Sequence, residues 1–349
     1  MKTNLIMKAG SARGFTLVEM MVAMTVGIMV LIALSSVMIS NSSSRRSGDR
    51  NATLQTSARY AIEVLRRDVQ HAGYAGGTGY MPNTSDNLSL FQSLSNPAAI
   101  TRACSPRAGQ LEWPLEASDN ANNFAACVPN TDYVAGTDVL IVRHAAQQSI
   151  LVPPSSATDE RVANVLYYYS DHNAELSRYG IGSATPTIIK AGLGPQPVST
   201  AAVYAVQENV YYIRPWSFSA TENPRIPALV MRRLVPGATG PAMSDGDAEL
   251  IAPGVVNMQL KFGLSTDRAG SNPSFNYQNW APSLVDAANA INIPNSLESV
   301  RISLLMQSLT PEPKYLNTET YQIGDDVTLN PQNDSYRRTV VSSTVQVRR

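Results

Sequence analysis

A single stretch, Gly14 to Ile39, constrains this chain more than any other part of it. A glycine is followed by Phe15-Thr16-Leu17-Val18-Glu19 and then by an almost unbroken apolar run that closes at Ser40. About twenty-five residues at about 1.5 Å each make nearly 38 Å of helix, enough to cross a hydrocarbon core of roughly 30 Å. The run carries one charge, Glu19. A carboxylate in a membrane helix is costly, about 2–3 kcal/mol at mid-bilayer even on lenient insertion scales, so it needs a functional reason. Upstream, residues 1–13 hold Lys2, Lys8 and Arg13 and no acidic residue. By the positive-inside rule that flank is cytoplasmic and the bulk of the chain lies across the membrane. Translation could begin at Met1 or at Met7.

The chain beyond the apolar run has room for one large or two small soluble domains, and we read it as one. Lys plus Arg and Asp plus Glu both number 27 and the formal net charge is zero, so no whole-molecule basic field draws nucleic acid. The two cysteines are Cys104 and Cys127. In an oxidising compartment they would close one loop, worth about 3 kcal/mol in the chain-entropy model. The alternative is two unrelated thiols; export of the segment favours the disulfide.

An ordinary secretory signal is cut after its apolar stretch, at small residues. Here the nearest downstream candidate, around Ala33 to Ser36, sits inside the run and is poor, and the conspicuous boundary is Gly14–Phe15. Arg13-Gly14-Phe15-Thr16-Leu17-Val18-Glu19 resembles the processing motif of type IV prepilins and type II secretion pseudopilins. The resemblance implies cleavage between Gly14 and Phe15 by a prepilin peptidase, N-methylation of Phe15, and Glu19 as the fifth residue of the mature chain. It further implies that Glu19 pairs with the new Phe15 amine, within one subunit or between neighbours, and fixes register in a dry fibre core. A Glu19 that merely snorkels to the interface is the other reading of that residue.

Beyond the membrane run, Leu54, Ala58, Ala61/Ile62, Leu65, Val69 and Ala72 recur at three and four residues, one stripe of an amphipathic helix. Helix is therefore expected from about 15 to about 72, ended by Gly73, Gly76 and Gly77, with Glu63 and Arg67 paired at i, i+4. Tyr80 to about Asn130 is rich in Pro, Asn, Ser and Gly and reads as a surface loop pinned by the cysteines. Strands are expected at 138–143, 162–169, 203–213, 229–235, 256–262, 300–306 and 339–347, and a short helix at 283–291. In two of these, Val256, Met258, Leu260 and Phe262, and Val300, Ile302, Leu304 and Met306, alternate with polar neighbours as half-buried antiparallel strands do. One long helix followed by strands, with no βαβ alternation, gives α+β: a long N-terminal helix packed on an antiparallel β-sheet domain.

This is also the pilin architecture. Ala135-Gly136-Thr137-Asp138-Val139-Leu140, Gly254 to Leu260 and Val300 to Leu304 resemble the large PilW-type minor pilins. The organisation implied is a prepilin leader (1–14), a helix (15–72) whose membrane and fibre-core part is 15–39, and a periplasmic or extracellular globular domain (73–349). The partners implied are other minor pilins and the major pilin, the prepilin peptidase, the inner-membrane assembly platform and, before assembly, the bilayer. Localisation would be the bacterial inner membrane in a single pass, then the pilus fibre or tip. A minor pseudopilin of type II secretion and a tip adhesin or DNA-binding subunit are the alternatives.

Catalytic signatures are missing: no Gly-x-Ser-x-Gly, His-Glu-x-x-His or Walker loop occurs. We expect no enzyme, no cofactor, no metal and no nucleic-acid partner. His71, His144 and His172 are scattered, with His71 placed to meet a helix C-terminus favourably. Gly180-x-Gly182 reads as a turn. Asp325-Asp326 and Asp245-Gly246-Asp247 read as solvated turns before calcium ligands, since neither has EF-hand spacing. Tyr167-Tyr168-Tyr169 and Tyr211-Tyr212 read as core and edge residues before stacking platforms for DNA.

Overall fold

The computed structural model describes residues 14–76, 114–125, 127–150, 162–170, 178–181, 187–190, 194–197, 202–237, 241–244, 248–265, 275–280 and 297–347. The chain forms two compact units, Met1–Ala52 and Thr53–Arg349. One helix, α1 (Leu17–His71), contributes to both. The strands are β1 (Leu115–Ser118), β2 (Val139–Ile150), β3 (Leu166–Ser170), β4 (Arg178–Ile181), β5 (Thr187–Lys190), β6 (Gly194–Pro197), β7 (Ala202–Arg214) and β8 (Ala228–Pro236). They continue as β9 (Pro241–Met243), β10 (Glu249–Pro253), β11 (Val255–Ser265), β12 (Phe275–Gln278), β13 (Leu297–Gln307), β14 (Tyr321–Ile323), β15 (Val327–Leu329) and β16 (Arg338–Gln346).

In the first unit, the apolar part of α1 holds an 18-residue window of mean hydropathy 2.5, none of it buried, and is long and apolar enough to cross a membrane. Two of its hydroxyls turn inward on the helix: Thr25 Oγ1 donates to the Val22 carbonyl (2.9 Å) and Ser36 Oγ to the Ala33 carbonyl (2.8 Å). That back-bonding satisfies both groups without water, as a lipid-facing helix requires.

In the second unit every strand pairing is antiparallel. An eight-stranded sheet runs β1-β2-β7-β3-β4, with β8 on β7 and both β9 and β10 on β8. Strand β7 is long enough to serve two partners along one edge, β3 at Ala202–Ala205 and β8 at Asn209–Arg214. A second sheet runs β12-β11-β13-β16. The predicted helical stripe closes both: Leu54, Ala58, Ala61, Leu65, Val69 and Ala72 share one core with Leu140, Val142, Tyr211 and Ile213 of the first sheet and Met258, Leu260, Phe262, Val300, Ile302 and Leu304 of the second. Three of the six helical positions are alanine, which lets the helix backbone approach the sheets closely. The chain turns from β10 into β11 at Gly254, whose φ of +83° and whose missing Cβ, which would lie 2.5 Å from the Gln307 carbonyl oxygen, both require glycine.

Several expectations are corrected. Glu63 pairs with Arg66, not Arg67, through two bonds of 2.7 and 2.9 Å; the i, i+3 geometry brings both guanidinium nitrogens to one carboxylate. Val256 does not share a face with Met258: the register of β11 on β13 shifts between Val255 and Asn257, so Val255 joins the main core and Val256 packs under the β14–β15 hairpin with Leu305 and Ile323. That hairpin also covers the polar face, where Gln259 and Lys261 are buried. The stretch read as loop up to Asn130 contains β1, and Phe124, Cys127 and Val128 form a buried layer on the back of β2, β7 and β8. Gly180 lies in β4, opposite Tyr167, not in a turn. The expected helix at 283–291 lies outside the described residues.

Candidate functional site

The helix begins at the residues the processing motif singles out. Thr16 is its N-cap: the Met20 amide donates to the Thr16 carbonyl (3.2 Å), and the Glu19 amide donates to Thr16 Oγ1 (3.2 Å). In return the Thr16 amide donates to Glu19 Oε2 (3.4 Å). These reciprocal bonds are a capping box, Thr-x-x-Glu, in which each side chain takes one of the amides that a helix start leaves without a partner. Glu19 is thus turned back along its own helix toward Phe15, and the helix dipole favours a negative charge there. Gly14 and Phe15 are exposed, Phe15 at 81%. Among the described residues, a Cβ built on Gly14 meets nothing within 4 Å. Thr16 was legible as the first residue of the Thr-x-x-Glu pattern, but reading Glu19 only as a membrane charge passed over it.

Cys127 is buried and disulfide-bonded; its expected partner, Cys104, lies outside the described residues. The segment carrying Cys127 is fastened by Asn122, whose Nδ2 donates to the Val128 carbonyl (2.7 Å), and by Arg232, which donates to the Cys127 carbonyl.

Asp138 immediately precedes β2. Its side chain is buried at the start of β2 and accepts the Asn120 amide at Oδ1 (2.8 Å) and the Leu260 amide at Oδ2 (2.7 Å). Its own amide donates to the Met258 carbonyl (2.9 Å). One carboxyl therefore joins the start of β2 in the first sheet, β11 in the second and the chain just after β1. Burial raises its pKa to about 7, against the lowering effect of the two amides; the nearby Asp119 carboxylate raises it further.

A second polar cluster lies between the C-terminal turns of α1 and the first sheet, beside an open groove of about 790 Å³. His144 Nε2 lies 2.9 Å from Asp68 Oδ1 and Nδ1 lies 2.9 Å from the Ala145 carbonyl, two acceptors that together favour the charged ring. Burial opposes that charge, but the hydrogen bond and charge of Asp68 outweigh it and raise the pKa. Asn209 holds both oxygens of Asp68 (3.1 and 3.2 Å). His71 spends Nδ1 on the Arg67 carbonyl of the last turn (2.6 Å). On the opposite face of the sheet Arg143 lies between Glu208 (2.6 Å) and Glu116 (3.0 Å), all three buried.

Among the described residues no group of three or more His, Cys, Asp or Glu side chains is placed to hold a metal. Asp325 and Asp326 instead pair with Arg301 and Lys261. The hydrogen bond from Lys261 holds the Asp326 carboxyl below its usual range. Asp245, Asp247 and His172 lie outside the described residues. Tyr167, Tyr168, Tyr211 and Tyr212 are buried, so none of these rings offers a face for a base to stack on.

A different aromatic residue is displayed. Phe218, in the connection between β7 and β8, is 80% exposed, while its loop is tightly built. The Glu222 carboxylate accepts the amides of Ser217 (2.7 Å), Phe218 (3.1 Å) and Ile226 (3.0 Å), and Arg214 donates to the carbonyls of Trp216 (3.0 Å) and Ser217 (2.6 Å). Although burial works the other way, these amides keep the Glu222 carboxyl below its usual pKa.

Comparison with known proteins bears on both ends of the chain. Residues 10–35 match the prokaryotic N-terminal methylation motif, and residues 203–349 match the family described as Type IV Pilus-assembly protein W. No curated protein matches the chain. Among solved structures, a type IV-like pilin from Thermus thermophilus aligns over 84% of this chain and 96% of its own, at 11% identity and a TM-score of 0.32. With a methylation motif spanning Gly14, Phe15 and Glu19, and a PilW match from β7 to the C-terminal strand, the chain is similar to type IV prepilins at its N-terminus and to the PilW-type pilus-assembly proteins over residues 203–349.

Proposed function

We propose that the chain is a minor pilin that takes part in type IV pilus assembly through protein association, in a priming or tip complex. In this reading it is inserted in the inner membrane with residues 73–349 on the periplasmic side. It is cleaved between Gly14 and Phe15, methylated on Phe15, and drawn into the fibre by its apolar helix. Glu19 and the Phe15 amine pair in the fibre core, where an unpartnered carboxylate would be costly. A disulfide between Cys104 and Cys127 fastens the layer behind the first sheet. The work is done without catalysis, on other minor pilins, the major pilin, the peptidase and the assembly platform.

The observation that carries this reading is the capping box at the mouth of a fully exposed apolar helix. It holds the Glu19 carboxylate against the amide of Thr16, the residue next to the position at which cleavage would create an amine, and it does so before any partner arrives. The family match over residues 203–349 favours pilus assembly over type II secretion. Mass spectrometry of the mature protein tests the processing: a methylated Phe15 terminus is expected, and an intact leader or a cut near Ser35 overturns it. Replacing Glu19→Val should leave the protein cleaved and membrane-inserted but poorly incorporated into pili. Normal incorporation of that variant would refute the pairing.

A further inference from the structure

The second sheet ends in a strand that nothing described covers. Strand β16 pairs with β13 over nine residues with no register shift. The Val347 amide donates to the Glu298 carbonyl and the Ser308 amide to the Arg337 carbonyl. Those two bonds fix which residues face the ladder, because antiparallel hydrogen-bonded pairs recur every second residue. Thr339, Val341, Ser343 and Val345 bond to β13. The amides and carbonyls of Val340, Ser342, Thr344 and Gln346 point the other way, and among the described residues none of them meets a partner.

A long bare edge of this kind is a template for another strand, and proteins usually blunt it with brevity, charge, proline or a bulge. Among the described residues, the other end strands of the two large sheets are blunted. Strands β1, β4 and β12 have four residues each, and β9 has three and begins at Pro241. Strand β10 has five, with Glu249, Pro253 and a bulge between Leu250 and Ala252. In contrast, β16 has nine, and from Thr339 to Gln346 it contains no charge, no proline and no glycine. Its faces are ready to be extended. Val341 packs at the border of the main core and Val340 at the border of the β14–β15 cluster, so a strand laid beside β16 would be covered partly on both sides.

We propose that the outer edge of β16 receives an extended, uncharged segment of a neighbouring subunit, which adds to the second sheet as a fifth strand. Backbone hydrogen bonds to Val340, Ser342, Thr344 and Gln346 supply the attraction, and the absence of charge along the run selects a segment that is also uncharged. The inference rests on the pilus-assembly reading for the source of that segment.

The test is amide hydrogen exchange on the full-length mature protein, alone in detergent and within pili from its own assembly machinery. Alone, the Val340, Ser342, Thr344 and Gln346 amides should exchange freely, while those of Val341, Ser343 and Val345 are protected. In the assembled state the outward set should become protected by about a hundredfold or more. Outward amides that stay unprotected in the assembled protein overturn the proposal. A protein that never enters the assembly refutes the pilus reading instead. As a second arm, Thr344→Pro removes one outward amide and leaves the β13 ladder intact, a position where a sheet tolerates proline. Recovery in assemblies should fall at least about tenfold, with the protection of Val341 and Val345 retained. Wild-type recovery with the fold retained would overturn the proposal, and if the variant misfolds the exchange pattern of the wild type decides.

Discussion

Asp138→Asn should exchange a pH-dependent contribution to stability for a constant one. The folded chain raises this carboxyl from 3.8 to about 7, chiefly by burial. A carboxyl with a higher pKa folded than unfolded binds its proton more tightly when folded, so its contribution is fully present below about pH 3.8 and is lost as pH rises through about 7. At about 1.4 kcal/mol per pH unit the whole loss is roughly 4 kcal/mol, of which close to 3 falls between pH 5 and pH 8. Asn at this position cannot ionise. It offers one acceptor to the two amides now held at 2.7 and 2.8 Å, so one buried amide loses its partner at a cost of about 1–3 kcal/mol at every pH. The wild type should therefore be the more stable protein at pH 5, and by pH 8 the difference should shrink by about 3 kcal/mol or reverse. His144 adds a slope of the same sign, because its raised pKa gives stability that is present at acid pH and lost above. That slope is common to both proteins and cancels in the difference. Denaturant unfolding of the full-length protein in detergent, followed by near-ultraviolet circular dichroism at both pH values, reads the effect. Parallel pH curves for the two proteins would show that the Asp138 carboxyl titrates alike in the folded and unfolded chain and would refute the reasoning.

Two further substitutions separate packing from association. Leu65 is fully buried in the core shared by both sheets, so Leu65→Ala should lower stability by about 3–5 kcal/mol, and a loss below 1 kcal/mol in denaturant unfolding would mean that the helix is not keyed to the sheets as described. Phe218→Ala removes an exposed ring from a loop fixed by Glu222 and Arg214, so stability should change by less than about 0.5 kcal/mol. Recovery of this variant in pili should nevertheless fall several-fold, and an unchanged yield would remove Phe218 from the contact surface.

Much of the fold was legible because its periods are simple. The three-and-four spacing from Leu54 to Ala72 named the buried face of α1 residue by residue, and alternation located β11 and β13. The errors arise where a non-local partner overrides a local pattern. Lys261 and Gln259 look solvent-facing in a period-two reading, yet a hairpin more than fifty residues later in the chain covers them. Val256 breaks the alternation because of a bulge that only the pairing with β13 reveals. Strand β1 is too short to carry a period of its own and is made a strand by β2. At the candidate site the Thr-x-x-Glu pattern was present in the sequence. The function of Asp138 was not, since its two amide partners, Asn120 and Leu260, lie far apart in the chain.

The way α1 is seated bears on mechanical load. From Leu54 to Ala72 the helix is keyed to two sheets by six buried side chains spread over five turns, on a bed that its alanines allow to lie close. A pull directed along this part of the helix meets all six contacts at once, in shear, and cannot peel them away one after another. A subunit whose helix is gripped in a filament and whose domain is held by neighbours experiences a force of that kind. The same stripe that completes the hydrophobic core is then also the coupling through which tension passes between helix and domain.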